Sequence, residues 1–177
     1  MNSNDYNNLD IDLKNVDPEY AGLIKDLVNE KVNTRKLARN RLIDLGDQVL
    51  PTIYELFKSK NSLLRWEASK VIQEIASHKT IPFLISLLED EESEIRWIAA
   101  EGLIQVGRSS IRPLLEELIQ QSEERHFLNA GAHHVLSVLF SEKEKDHFHE
   151  LLNALKSTGL FEMMPVLVRR ALREGTF

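Results

Sequence analysis

The chain of 177 residues contains no cysteine, which excludes disulfides, thiolate metal sites and cysteine nucleophiles. Glycine and proline are scarce, at seven and five residues, which favours helices with short connections over many short strands. No apolar run approaches the roughly 18 residues that cross a bilayer. The N-terminus lacks the basic start and apolar stretch of a secretory signal. These absences predict a soluble, cytoplasmic protein with no membrane partner.

A basic excess is also missing. The formal net charge is -6, whereas general nucleic-acid binders normally carry a surplus of lysine and arginine. The hydrophobic content of 42% and the charged content of 28% are ordinary for a folded domain. Nucleic-acid binding is therefore the least expected class of function.

The N-terminal region differs from the rest of the chain. Residues 1–16 are rich in Asn and Asp and show no helical period, so they predict a flexible N-terminal arm. Asp17, Pro18 and Glu19 then form a helix-start signal. We predict a single repeat domain over residues 17–177, in which about the last 35 residues form an atypical capping pair. In that pair, residues 142–156 and 163–173 each predict one helix.

A first repeat register is set by Pro51, Pro82 and Pro113, which are each 31 residues apart. Apolar residues recur two, five and six positions after each proline, which predicts a short helix with one apolar stripe. These residues are Ile53, Leu56, Phe57, Leu84, Leu87, Leu88, Leu115, Leu118 and Ile119. Gly22 holds the proline position of an earlier copy, followed by Ile24, Leu27 and Val28.

A second register starts at Arg35, Arg65, Arg96 and Arg125. Positions +3, +7 and +10 from each arginine share one helical face, so they predict the buried side of a second helix. At +3 and +7 these residues are Ala38, Leu42, Ala68, Ile72, Ala99, Leu103, Leu128 and Ala132. At +10 they are Leu45, Ile75, Val106 and Val135. Gly46 and Gly107 are placed to end two of these helices.

These helical pairs resemble the HEAT repeat, and in particular the short bacterial repeats of phycobilisome lyases. The matching motifs are Pro-x-Leu-x-x-Leu-Leu at 82–88, an acidic turn at 90–94 and Ile-Arg-x-x-Ala at 95–99. The resemblance implies an all-α, right-handed α-solenoid of about five pairs, whose second helices line a concave groove. One departure is the turn aspartate of such repeats, which occurs only as Asp90. The sequence therefore does not predict an Asp–Arg ladder.

Positions +1, +5 and +8 of the second helices point away from the predicted core. Together with Arg39 they predict a groove with two indoles at its middle, a basic end and a His-bearing end. The candidate residues are Lys36, Arg39, Trp66, Lys70, Gln73, Trp97, Glu101, His126 and His133. Exposed tryptophans are favoured anchors at interfaces. The structural alternative is that each Trp lies flat across the adjacent helix.

The sequence contains no arrangement of residues that is typical of a catalytic site. HEAT-type deoxyhypusine hydroxylase holds iron with repeated His-Glu dipeptides, but Trp66 precedes Glu67 here and His149-Glu150 lies outside the register. We therefore predict no enzyme activity, no cofactor and no metal, with the six His as ordinary side chains. The basic clusters and the acidic turn Glu89–Glu94 are interpreted as solvated, with Glu67, Glu74 and Glu101 near the middle of the groove.

The sequence thus predicts a protein- or peptide-binding adaptor or scaffold. An alternative implied by the resemblance is an accessory subunit of a phycobilin-lyase-like or other protein-modifying enzyme, with His126 or His133 near the ligand.

Overall fold

The structure is a computed structural model of the chain, and it describes residues 9–13, 16–120, 125–156 and 162–177. Within those residues it contains eleven α-helices and no strand. They are α1 (Pro18–Leu27), α2 (Val32–Asp44), α3 (Leu50–Leu56), α4 (Ser62–Ile75), α5 (Ile81–Leu87), α6 (Ser93–Val106), α7 (Ile111–Ile119), α8 (His126–Leu139), α9 (Glu142–His147), α10 (His149–Lys156) and α11 (Met164–Glu174). Three short 3₁₀ turns, Gly46–Val49, His78–Thr80 and Arg108–Ser110, precede α3, α5 and α7. The predicted all-α solenoid class is confirmed.

The helices belong to two compact units, unit 1 ending at Thr80 and unit 2 beginning at Ile81. None of the described helices is long and apolar enough to span a membrane. The single domain predicted over residues 17–177 stays a prediction.

Both repeat registers place their apolar residues in the core. Every residue predicted at +3 and +7 of the second helices is buried, as is every first-helix residue except the half-buried Phe57 and Ile119. At +10, Val135 is buried, and the other three residues are half-buried. Each fully buried leucine or isoleucine contributes about 1.5–3 kcal/mol of transfer free energy. The 31-residue period therefore arises because each repeat buries the same face of its helices.

The repeat arginine closes the turn inside its own helical pair. The Nη1 of Arg35, Arg65 and Arg96 donates to the backbone carbonyl six residues earlier, at 2.8, 3.0 and 2.7 Å. These carbonyls belong to Asn29, Ser59 and Asp90. A main-chain carbonyl is present whatever the side chain, so this bond does not require an aspartate in the turn.

The side chains of the same turn residues form a second set of hydrogen bonds, with the backbone. Those of Asn29, Ser59 and Asp90 each accept a hydrogen bond from the backbone N–H two residues later, at 3.0, 3.0 and 2.9 Å. Any short side chain with an acceptor oxygen can form such a turn. This explains how the turn keeps its shape without an aspartate in each repeat.

Part of the predicted arm is attached to unit 1. Residues 1–8 and 14–15 lie outside the described residues, but the Asp10 carboxylate accepts hydrogen bonds from the Ser59 hydroxyl and from the Lys60 N–H, the latter at 2.7 Å. Burial raises the pKa of Asp10, but these hydrogen bonds outweigh it and leave the pKa lowered. The arm therefore supplies a carboxylate to the turn between α3 and α4.

Three of the second helices, α2, α4 and α6, end within two residues of a residue with positive φ. Gly46 and Gly107 follow α2 and α6 with φ of 58° and 88°, as predicted from their positions. Ala76 caps α4 with φ of 48°, the single positive-φ residue other than glycine in the described chain. The Cβ of an L-residue is crowded in this conformation, which costs about 1–2 kcal/mol.

We expect Ala76→Gly to raise the free energy of unfolding by about 0.5–1 kcal/mol, because relief of the crowded Cβ outweighs the greater entropy of the unfolded glycine. Urea titration monitored by circular dichroism measures the change. Ala130→Gly, on an exposed position inside α8, is the control and should lose about 1 kcal/mol. A loss of stability in Ala76→Gly would contradict the strain assigned to this cap.

In unit 2, two glycines let a second helix approach a leucine of the first-helix register, in its own repeat for Gly102 and in the preceding repeat for Gly131. A Cβ on Gly102 of α6 would lie 2.8 Å from Cδ2 of Leu84, and one on Gly131 of α8 would lie 2.8 Å from Cδ2 of Leu88. Both leucines are fully buried. The glycines therefore make room for the first-helix leucines that fill the core.

The sequence suggested that the acidic turn is solvated, but this is wrong for its first residue, Glu89. Glu89 accepts a hydrogen bond from the Leu128 N–H in the first turn of α8 and lies 3.5 Å from the guanidinium of Arg125. The N-cap residue of α8, Arg125, provides no side-chain acceptor of its own. Glu89 thus caps a helix of the next repeat, where a carboxylate is favoured by the exposed N–H groups.

The helix predicted over residues 142–156 is wrong as a single element, because it breaks at Phe148 into α9 and α10. The α9 segment has no buried residue and is held by a capping box between Ser141 and Glu144. The bend places Phe148 in an aromatic cluster, 5.6 Å from the ring of Phe140 and 6.1 Å from that of Phe177. The last helix begins one residue after its predicted start, with Pro165 in its first turn.

Candidate binding surface

We define the second-helix surface of unit 1 as the solvent-accessible positions of α2 and α4, and that of unit 2 as those of α6 and α8. Each of the nine predicted site residues lies on one of these two surfaces, and none of them is buried. Three are exposed: Lys36, Trp97 and His126. Six are half-buried: Arg39, Trp66, Lys70, Gln73, Glu101 and His133. Their role in binding stays a prediction.

Two cationic side chains lie close to the ring of Trp66 in unit 1. The guanidinium carbon of Arg39 lies 5.9 Å from the ring centroid, and the Nζ of Lys70 lies 5.8 Å from it. Lys70 also donates to the amide oxygen of Gln73 at 3.3 Å. Cation–π contacts at this range stabilise by about 0.5–1 kcal/mol at exposed sites. Trp66 is therefore partly covered by side chains, and it keeps an accessible part.

Glu67 does not belong to this surface, although the sequence placed it near the middle of the groove. Its side chain is 2% exposed and pairs with Arg35 at 3.2 Å and Arg39 at 2.5 Å. Position +2 of α4 thus faces α2, the second helix of the preceding repeat. One buried carboxylate holds two guanidinium groups of α2 against α4.

Trp97 in unit 2 is the more open of the two indoles, with 59% of its surface exposed. It stacks on the imidazole of His134 in α8, with ring centroids 4.9 Å apart and planes at 28°. The Nε2 of His134 lies 2.9 Å from a carboxylate oxygen of Glu101. His134 is thus fixed from two sides, and it supports an indole whose remaining surface meets solvent.

Sequence reasoning missed His134, since it selected His126 and His133 from positions +1 and +8. His134 stands at +9, on the flank of α8 that faces α6. The helical period of one helix identifies its own buried face, but the partner of Trp97 comes from the next repeat. The available signal was the pair of His in adjacent positions, of which one had to point to that flank.

His133 has a different environment from His134. Its Nε2 lies 3.2 Å from the Ser137 hydroxyl one turn later. Burial, and then the positive charges of Lys156 and His134, lower the pKa of His133. Below neutral pH it therefore gains a proton less readily than a solvated histidine.

Apolar side chains other than Trp97 are exposed on this surface of unit 2. Phe127 is accessible although the guanidinium carbon of Arg96 lies 3.9 Å from its ring centroid. Val138, at the C-terminal end of α8, is also exposed. Phe127, His134 and Val138 share one stripe of α8 because they are separated by seven and four residues. Exposed apolar side chains along one surface are a feature of many interaction sites.

No group of three or more His, Asp and Glu side chains in the described ranges is arranged to hold a metal ion.

The successive helical pairs define the class of protein as an α-solenoid. A family model of HEAT repeats matches residues 21–104 and again residues 49–137. Together the two matches cover more than half of the chain. The chain belongs to the HEAT-repeat family. Neither the search of curated proteins nor the search of solved structures found a match.

Proposed function

We propose that this chain is a non-catalytic adaptor that binds a protein or peptide segment on its second-helix surfaces. The observation that carries the proposal is Trp97, an indole 59% exposed at a position that the fold does not need to bury. HEAT repeats commonly serve as scaffolds for protein interactions, which supports the same class of function.

The surroundings of Trp97 support its role as an anchor. Trp97 stacks on His134, which Glu101 in turn holds in place, so less conformational entropy is lost when a partner covers this ring than for an indole without such a contact. Phe127 and Val138 extend the apolar area on the neighbouring helix. A rigid aromatic side chain within an accessible apolar patch is the usual composition of a binding hot spot.

The proposal is tested with a phage-displayed library of random linear peptides selected on the immobilised chain. Selected peptides are synthesised with a fluorescent label, and their affinities are measured by anisotropy. We expect Trp97→Ala to weaken binding by at least about tenfold, the effect of losing a hot-spot side chain.

Phe83→Ala is the matched control, because it removes a half-buried aromatic side chain from the first helix of the same repeat. It should leave peptide affinity unchanged. If no peptide is enriched, or if Trp97→Ala binds the selected peptides as tightly as Phe83→Ala and the wild type do, Trp97 does not anchor a partner and the proposal fails.

A further inference from the structure

The second-helix surface of unit 1 has its own electrostatic character. Lys36 is exposed on α2, while Arg39 and Lys70 lie against the ring of Trp66. The amide side chains of Asn40 and Gln73 lie on the same surface. These positions combine an aromatic ring, three cations and two neutral hydrogen-bonding groups, and the same two helices also expose Arg41, Asp44 and Glu74.

The carboxylates of unit 1 do not balance these cations equally. Glu67 is committed to Arg35 and Arg39 in the interior. Lys70 has the neutral amide of Gln73 as its polar partner, and in the described part of the chain neither it nor Lys36 forms an ion pair. The ammonium groups of Lys36 and Lys70 are therefore available to an incoming anion.

We propose that this surface takes an acidic segment of a peptide partner, with an Asp or Glu carboxylate on Lys70 beside the ring of Trp66. The inference rests on the proposed function and specifies its partner. A carboxylate would replace the weak contact of Lys70 with Gln73 by a charge-assisted hydrogen bond. The aliphatic part of the same side chain, or an apolar neighbour, would cover the accessible part of Trp66.

The contacts of Trp66 select against a basic partner. Its negative π face already attracts Arg39 and Lys70, so a further lysine or arginine would meet two like charges there. A nucleic acid would suit the cations, but its continuous row of phosphates would also meet the exposed Asp44 and Glu74 on the same helices. A single acidic side chain is attracted by the two cations, and it brings one negative charge near Glu74 where a nucleic acid brings many.

The peptides selected on the wild-type chain provide the test. We expect them to be enriched in Asp and Glu relative to the unselected library. Lys70→Glu should lower the affinity for such a peptide by about tenfold, because it places a like charge opposite the carboxylate of the peptide. Lys25→Glu, the same charge reversal on an exposed position of the first helix α1, should change affinity by less than about twofold. A peptide with its acidic residue changed to lysine should bind Lys70→Glu more tightly than it binds the wild type.

The outcomes separate this inference from the proposal it rests on. Peptides that depend on Trp97 but show no acidic enrichment, or that bind Lys70→Glu as well as the wild type, would overturn the acidic partner and leave the adaptor proposal standing. Absence of any Trp-dependent peptide would overturn both. A mixed-sequence single-stranded oligonucleotide is titrated in parallel, and competition with the peptides in a Lys70-dependent manner would replace the acidic peptide by a nucleic acid.

Discussion

Glu67→Gln is expected to lower the free energy of unfolding by about 3 kcal/mol, the range found when one partner of a buried ion pair is removed. The carboxylate is 2% exposed, and both Arg35 and Arg39 bind it. Glutamine keeps the volume and one acceptor oxygen but removes the charge. Two guanidinium groups then lose the buried carboxylate that both of them bind.

Chemical unfolding in urea measures this change, since the slope of the transition also reports whether the folded state stays compact. Glu74→Gln is the matched control, because Glu74 is exposed on the same helix and should change stability by less than about 0.5 kcal/mol. Equal stabilities of the two variants would show that Glu67 is not the anchor between α2 and α4.

The fold was predictable because each repeat must solve the same packing problem. Ala68 and Ala99, Ile72 and Leu103 recur at equal spacing because the same face of each second helix is buried, and that periodicity is visible in one sequence. The break at Phe148 was not visible. It depends on an aromatic cluster of Phe148 with Phe140 and with Phe177, and Phe177 comes from beyond the end of the last helix, α11.

The candidate surface was predictable by position but not by contact. Residues at +1, +5 and +8 had to lie outside the core, and the structure places them there. Which side chains meet depends on neighbouring repeats. Glu67 of α4 pairs with Arg35 of α2, and His134 of α8 stacks on Trp97 of α6. A helical period describes one helix at a time, so it carries no information on these pairs.

The two tryptophans show why equivalent positions need not have equivalent roles. Trp66 lies under Arg39 and Lys70, whereas Trp97 lies on His134 and near its partner Glu101. The fold supplies the same place for both rings, and the neighbouring side chains give one surface cationic character and the other a histidine–carboxylate pair. Specificity for a partner would therefore differ between the two units.

Ala99→Leu is expected to destabilise the chain by about 1–3 kcal/mol, because a longer side chain in a filled core forces neighbouring side chains or helices to shift. Ala99 is fully buried in α6, and its equivalent in α4, Ala68, is fully buried as well. A small residue at this position lets the helices pack closely, so Ala68→Leu should give a loss of similar size.

Ala130→Leu provides the comparison that isolates packing from helix propensity. Ala130 is exposed on the second helix α8, so the same added atoms meet solvent and should change stability by less than about 0.5 kcal/mol. Thermal unfolding followed by circular dichroism measures all three variants. If Ala68→Leu and Ala99→Leu melt with Ala130→Leu at the wild-type temperature, position +3 is not where the helices meet, and the alignment of the repeats would have to be redrawn.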